Sequence, residues 1–241
     1  MVLIKIDEFS DCFIKATQKN QLVRSKKYLY AAIAGAAIAA AIIIHFILPM
    51  AGQDKSQGTT PSDQVAFLDF SYEEENSDLK SHLALHHINM TKPIILSSQA
   101  DVAQYCNFLT DPKKQALVTY CTSTVLASKY GNLGEINMVG SSDVPGLVVV
   151  ALQSDPTLHN YDDVKTVFST VINSTICSCW DKTAPDGFIT LSAMVDKLRD
   201  THLQTKDPTT STHVIPLGNK HFKIELTTNT DGYLWKLLVS K

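Results

Sequence analysis

HFKIELTTNTDGYLWKLLVS, residues 221–240, carries the fold class. Phe222, Ile224 and Leu226 alternate with Lys223 and Glu225, so an extended chain places three apolar side chains on one face and the charges on the other. Asn229 to Gly232 has the composition of a tight turn, and YLWKLLVS at 233–240 runs back along the first strand. The segment therefore reads as an antiparallel hairpin with one buried and one wet face, closing the domain. HVIPL at 213–217 adds a short β-prone run ahead of it.

Upstream the periodicity changes from two to between three and four. DPTTST at 207–212 interrupts the chain, and Thr190 caps a helix with Leu191, Met194, Val195, Leu198 and His202 in register. APDGF at 184–188 is a turn. Asp162 to about Trp180 is the main core helix, with Val164, Val167, Phe168, Val171, Ile172, Thr175, Ile176, Cys179 and Trp180 on its apolar face. Continued that far, the helix holds Cys177 and Cys179 roughly 160° apart, too far round to bond each other. Glu135 to Val139 and Gly146 to Leu152 read as strands, the second central and covered on both faces because Val148, Val149 and Val150 break alternation. The intervening GSSDVPG lacks the G-x-S-x-G pattern of a nucleophile elbow, and turn chemistry accounts for it.

Before those strands the pattern predicts consecutive helices. Ser98 caps one to about Leu109, with Val102, Tyr105, Cys106 and Leu109 facing inward. Asp111 and Pro112 open another to Tyr130, with Leu117, Val118, Cys121, Val125 and Leu126 on one side and Gly131 and Gly134 ending it. Lys92 to Leu96 is a short strand, Asp78 to Ile88 a helix, and VAFLDFSY at 65–72 an edge strand or interfacial segment. The expectation is an α+β fold: one soluble domain with helices packed on a mainly antiparallel sheet.

The domain, residues 65–241, is preceded by a segment of another kind. YLYAAIAGAAIAAAIIIHFIL, residues 28–48, contains no Asp, Glu, Lys or Arg and is closed by Pro49. At about 1.5 Å per residue such a run spans roughly 30 Å, one bilayer core, so 28–49 is expected to be a single transmembrane helix. Arg24, Lys26 and Lys27 precede it and Lys55 is the first basic residue after it, which places the N-terminus in the cytoplasm and the domain outside. Ala32, Ala36 and Ala40, flanked by Gly35 and Ala39, form a small-residue stripe suited to close helix packing, hence to self-association in the membrane. Residues 1–27 read as a cytoplasmic amphipathic segment with Val2, Ile6, Phe9, Phe13 and Ala16 on one face, and 50–64 as a flexible tether.

Charge and cysteine usage bound the chemistry. Residues 52–241 hold 15 Lys or Arg against 21 Asp or Glu, an acidic balance that argues against a nucleic-acid surface. Cys106, Cys121, Cys177 and Cys179 would face an oxidising compartment, an even number able to form disulfides, with Cys106 to Cys121 the preferred pair. Asp78, His82 and His86 at i, i+4 and i+8 share one helical face and are the candidate ligands of a divalent metal, without the HExxH pattern. Cys177-Ser178-Cys179 is a C-x-C sequence and not the C-x-x-C of thiol oxidoreductases. No cofactor-binding Gly loop is present.

The leading functional expectation is therefore a non-enzymatic, single-pass envelope protein whose outer domain docks other membrane or envelope proteins, such as components of a secretion or surface complex. The alternatives are a metal-dependent enzyme or binder using Asp78, His82 and His86, and a thiol oxidoreductase using Cys177 and Cys179.

Overall fold

The C-terminal hairpin forms as its alternation predicts and sits inside a larger sheet than its own sequence implies. The computed structural model describes residues 66–109 and 111–241. The expected transmembrane helix, its Ala32 to Ala40 packing stripe, the cytoplasmic segment and the tether lie outside the described residues. Among the described residues no helix is long and apolar enough to cross a membrane.

Helix α1 (Tyr72–Ala84) leads into strands β1 (Asn89–Met90) and β2 (Ile94–Leu96), then helices α2 (Gln99–Tyr105) and α3 (Pro112–Gln115). Next comes a meander, β3 (Tyr120–Ser128), β4 (Gly131–Gly140) and β5 (Pro145–Ser154), then helices α4 (Tyr161–Thr175), α5 (Trp180–Thr183) and α6 (Leu191–Thr205). Strands β6 (Thr209–Ser211), β7 (Ile215–Leu217), β8 (Lys220–Asn229) and β9 (Gly232–Ser240) complete the chain. All pairings are antiparallel, in the order β1-β3-β4-β5-β9-β8-β6, with β2 also on β3 and β7 also on β8. The architecture is α+β with a large antiparallel sheet.

Burial follows the pleat. Val148, Val150 and Leu152 of β5, Trp235, Leu237 and Val239 of β9 and Phe222, Ile224 and Leu226 of β8 share one face, where α1, α4 and α6 cover them to make the main core. On the opposite face Leu147, Val149, Val139 and Leu238 form a smaller cluster with Val102 and Cys106 at the end of α2. Strand β5 is thus central and covered on both faces, as its Val run requires.

Four expectations are corrected. The predicted helix from Asp111 stops after Gln115, and Tyr120–Ser128 is strand β3. Thr122, Thr124 and Val125 are β-branched and lose side-chain freedom in a helix, while their backbone finds a full partner in β4. Gly131 and Gly134 accordingly end no helix. Gly131 turns the β3–β4 hairpin, and Gly134 lies inside β4 at φ 143, where a Cβ would run into the Ala151 carbonyl oxygen. The chain before Tyr72 forms no strand within the described residues, although Leu68 N–H donates to the Pro145 carbonyl at 2.8 Å. Finally, the hairpin face expected to be wet is buried in its middle, although His221 at its start is exposed. Glu225 is 8 % exposed and Lys236 3 %, paired across β8 and β9, with the Lys223 amine donating to Glu225.

The Cys106–Cys121 pair is at disulfide distance, with Cα atoms 6.2 Å apart, but it joins the end of α2 to β3 and not two helices. Both cysteines are buried. Closing a loop of this length constrains the unfolded chain by about 3 kcal/mol on the chain-entropy estimate. Replacing both by serine is expected to lower unfolding free energy by about 2–3 kcal/mol in denaturant titrations, since residual order in the unfolded chain offsets part of that term. An unchanged midpoint would show that the buried thiols alone suffice.

Candidate functional site

The last turn of α4 is where polar and sulfur chemistry concentrates. The helix stops at Thr175, earlier than predicted. Ile176 turns away at φ −114, ψ −75, and the Ile172 carbonyl accepts from the N–H groups of both Ile176 and Cys177. Cys177-Ser178-Cys179 is consequently a turn, and the two cysteines, which a continuous helix would hold apart, stand at disulfide distance with Cα atoms 5.2 Å apart.

Beyond the turn, residues 179–188 fold back on α4. The Cys179 carbonyl accepts from Lys182 and Thr183, α5 ends at left-handed Ala184, and Trp180 Nε1 donates to the Phe188 carbonyl at 3.0 Å. This return leaves a cavity of about 290 Å³ between α4, the cysteine turn and the start of α6. Ile172, Trp180 and Leu191 give it an apolar floor, and Asn173, Ser178 and Asp181 give it polar walls. Ser178, the residue between the two cysteines, lines it directly.

Around the same last turn of α4 lies a buried ionic group. Lys220, at the start of β8 and 4 % exposed, donates from Nζ to the Thr175 carbonyl at 2.6 Å, pairs with Asp69, and stands 5.2 Å over the Phe70 ring. Glu75 of α1 is 3 % exposed. Burial pushes its pKa up to about 7, against the hydrogen bond from Ser174 and the charge of Lys220, while Asp78 adds a further upward push. Its Oε1 has no hydrogen-bond partner among the described residues. Asp69, by contrast, is held below the usual carboxylate range, first by its hydrogen bond to Lys220.

A second run of charge crosses the opposite sheet face. Glu135, Ala151, Lys236 and Glu225 are neighbours across β4, β5, β9 and β8. Asn137 donates to Glu135 at 3.0 Å and Lys223 to Glu225 at 2.7 Å. Burial raises the Glu135 pKa and lowers that of Lys236.

The expected metal ligands are not assembled. Helix α1 begins earlier than predicted and ends at Ala84, so Asp78 and His82 lie on its exposed side while His86 falls in the turn beyond. His87, at φ 59, completes that turn. Among the described residues no group of three His, Cys, Asp or Glu side chains is placed to hold a metal ion. Sequence reasoning does not single out Glu75 and Lys220. For Glu75 a signal exists: Tyr72, Glu75, Leu79 and Leu83 step by three and four along the buried stripe of α1. Lys220 opens a strand whose alternation marks its side as buried, but its partners come from α4 and the chain before α1.

The chain matches no protein-family model, and neither a curated protein nor a solved structure is significantly similar to it.

Proposed function

We propose that residues 65–241 are the extracytoplasmic interaction domain of a single-pass membrane protein, a docking subunit of a membrane-associated assembly. The apolar run at 28–49, with its basic flank on the N-terminal side, supports anchorage and orientation. The observation that carries the interaction reading is an apolar edge. Ile95 on edge strand β2 is 57 % exposed, and Leu117, in the turn before β3, is 47 % exposed. An unpaired strand edge carrying an outward apolar side chain offers an extended segment both backbone hydrogen-bond partners and an apolar contact. The fitting partner is another envelope protein offering an apolar or extended segment to β2.

Ile95→Lys combined with Leu117→Lys tests this without touching the core. Unfolding free energy is expected to change by less than about 0.5 kcal/mol, because both positions are surface sites. Proteins crosslinked to the intact chain in its own membrane, then purified in mild detergent, should be retained at least tenfold less by the double variant. Equal retention of the same proteins by both forms would refute the docking role of this edge.

A further inference from the structure

We propose that Cys177 and Cys179 form a redox-active disulfide that exchanges with the thiols of an extended polypeptide lying in the adjoining cavity. This goes beyond the docking reading and stands on a different part of the molecule. The two cysteine pairs of the domain differ in exposure and in the length of chain they close. Cys106 and Cys121 are 0 % and 1 % exposed and lie 15 residues apart, so their bond is inaccessible and closes a long loop. Cys177 and Cys179 are both half-buried and two residues apart, and the serine between them is exposed. A bond across so short a segment constrains the unfolded chain about half as much as the Cys106–Cys121 bond on the same chain-entropy estimate, so its structural weight is the smaller of the two. Accessible disulfides of little structural weight are those that exchange.

The surroundings specify the substrate class. The cavity of about 290 Å³ is lined by Ser178, the residue between the two cysteines, together with apolar Ile172, Trp180 and Leu191 and polar Asn173 and Asp181. An apolar floor with polar walls suits a peptide, whose side chains need burial and whose backbone needs hydrogen-bond partners. Ile189, which precedes the lining residue Thr190 in the chain, is 76 % exposed. The turn holding the sulfurs is backed by the hydrogen bond from Lys220 to the Thr175 carbonyl, two residues before Cys177.

The chemistry balances without a cofactor. A substrate thiolate attacks one sulfur of the Cys177–Cys179 bond, that bond breaks, and a mixed disulfide forms while the other cysteine leaves as thiolate and takes a proton from water. A second substrate thiol, deprotonated in turn, attacks the mixed disulfide and releases the remaining cysteine. Two electrons pass from the substrate dithiol to Cys177 and Cys179, the substrate leaving as a disulfide. Exchange with a small-molecule disulfide, such as oxidised glutathione, restores the starting bond.

Full-length protein in mild detergent, presented with a reduced peptide carrying two cysteines, provides the test. One peptide disulfide should form per protein in a single turnover, at least tenfold faster than in buffer alone. Mass mapping should show Cys177 and Cys179 reduced while Cys106–Cys121 remains intact. Single Cys177→Ser and Cys179→Ser variants should abolish turnover, and one of them, first charged through its remaining cysteine as a mixed disulfide with glutathione, should pass that bond to a peptide carrying a single cysteine, releasing reduced glutathione. Asn173→Arg, an exposed position on the cavity wall, should slow peptide oxidation at least tenfold but leave reduction by a small dithiol unchanged. A Cys177–Cys179 bond reduced no faster than Cys106–Cys121, or peptide oxidation at the buffer rate, overturns the redox assignment. Equal peptide rates for Asn173→Arg and the unmodified chain overturn the assignment of the cavity.

Discussion

Glu75→Gln is expected to stabilise the protein at pH 8 and to flatten its pH dependence between about pH 4.5 and 7. The side chain is 3 % exposed and its pKa is raised from 4.5 to about 7, chiefly by burial. Between those values the folded state holds a proton that the unfolded state has released. Stability from this group is therefore fully present below pH 4.5 and is lost as pH rises through 7. A difference of this size corresponds to roughly 3 kcal/mol. Glutamine keeps the shape and never ionises, so the variant should match the parent near pH 4.5 and exceed it by up to roughly 3 kcal/mol at pH 8. Denaturant titrations of both forms at several pH values check this. Parallel profiles would mean that Lys220 and Ser174 compensate the buried charge in full. Retention of so unfavourable a carboxylate beside the cysteine turn is the kind of local conflict found at functional sites.

Trp235→Ala is expected to cost about 3–5 kcal/mol, while Trp235→Phe should cost no more than about 1.5 kcal/mol. Trp235 is 0 % exposed, at the centre of β9, with its ring 5.4 Å from that of Tyr161 on α4. Alanine removes one aromatic contact between β9 and α4 and leaves a cavity. Phenylalanine keeps an aromatic partner for Tyr161 and removes an indole N–H that has no acceptor among the described residues. Relief of that unpaired donor, worth about 1–3 kcal/mol, offsets much of the lost area. A Trp235→Phe loss well above about 1.5 kcal/mol, read from denaturant midpoints, would show that the N–H is satisfied in solution.

Legibility differs from element to element for physical reasons. Helix α6 and its Thr190 cap are readable in sequence because a helix bonds to itself, and the Thr190 hydroxyl indeed accepts from Ala193 N–H. The same holds for Ser98 at the start of α2. Strand β3 is misleading because Leu117, Val118, Cys121, Val125 and Leu126 satisfy a helical stripe as well as they satisfy a strand. Only the unpaired edge of β4 decides between them. The metal reading of Asp78, His82 and His86 requires the helix to continue past Ala84, and the chain instead turns there to deliver Asn89 and Met90 to β3. The cysteine turn is hidden for a related reason: the apolar stripe runs on through Cys179, whereas the helix ends at Thr175.

From its residues alone the chain specifies an α+β class, the closing hairpin, the central β5 and the main amphipathic helix α4. Each rests on a periodicity that one segment carries by itself. Tertiary structure alone decides that β9 lies between β5 and β8, that Glu75 and Lys220 meet at the last turn of α4, and that Cys177 reaches Cys179 beside a cavity. Those outcomes depend on contacts between residues far apart in sequence, where hydrogen-bond partners and desolvation are set by packing and not by local pattern.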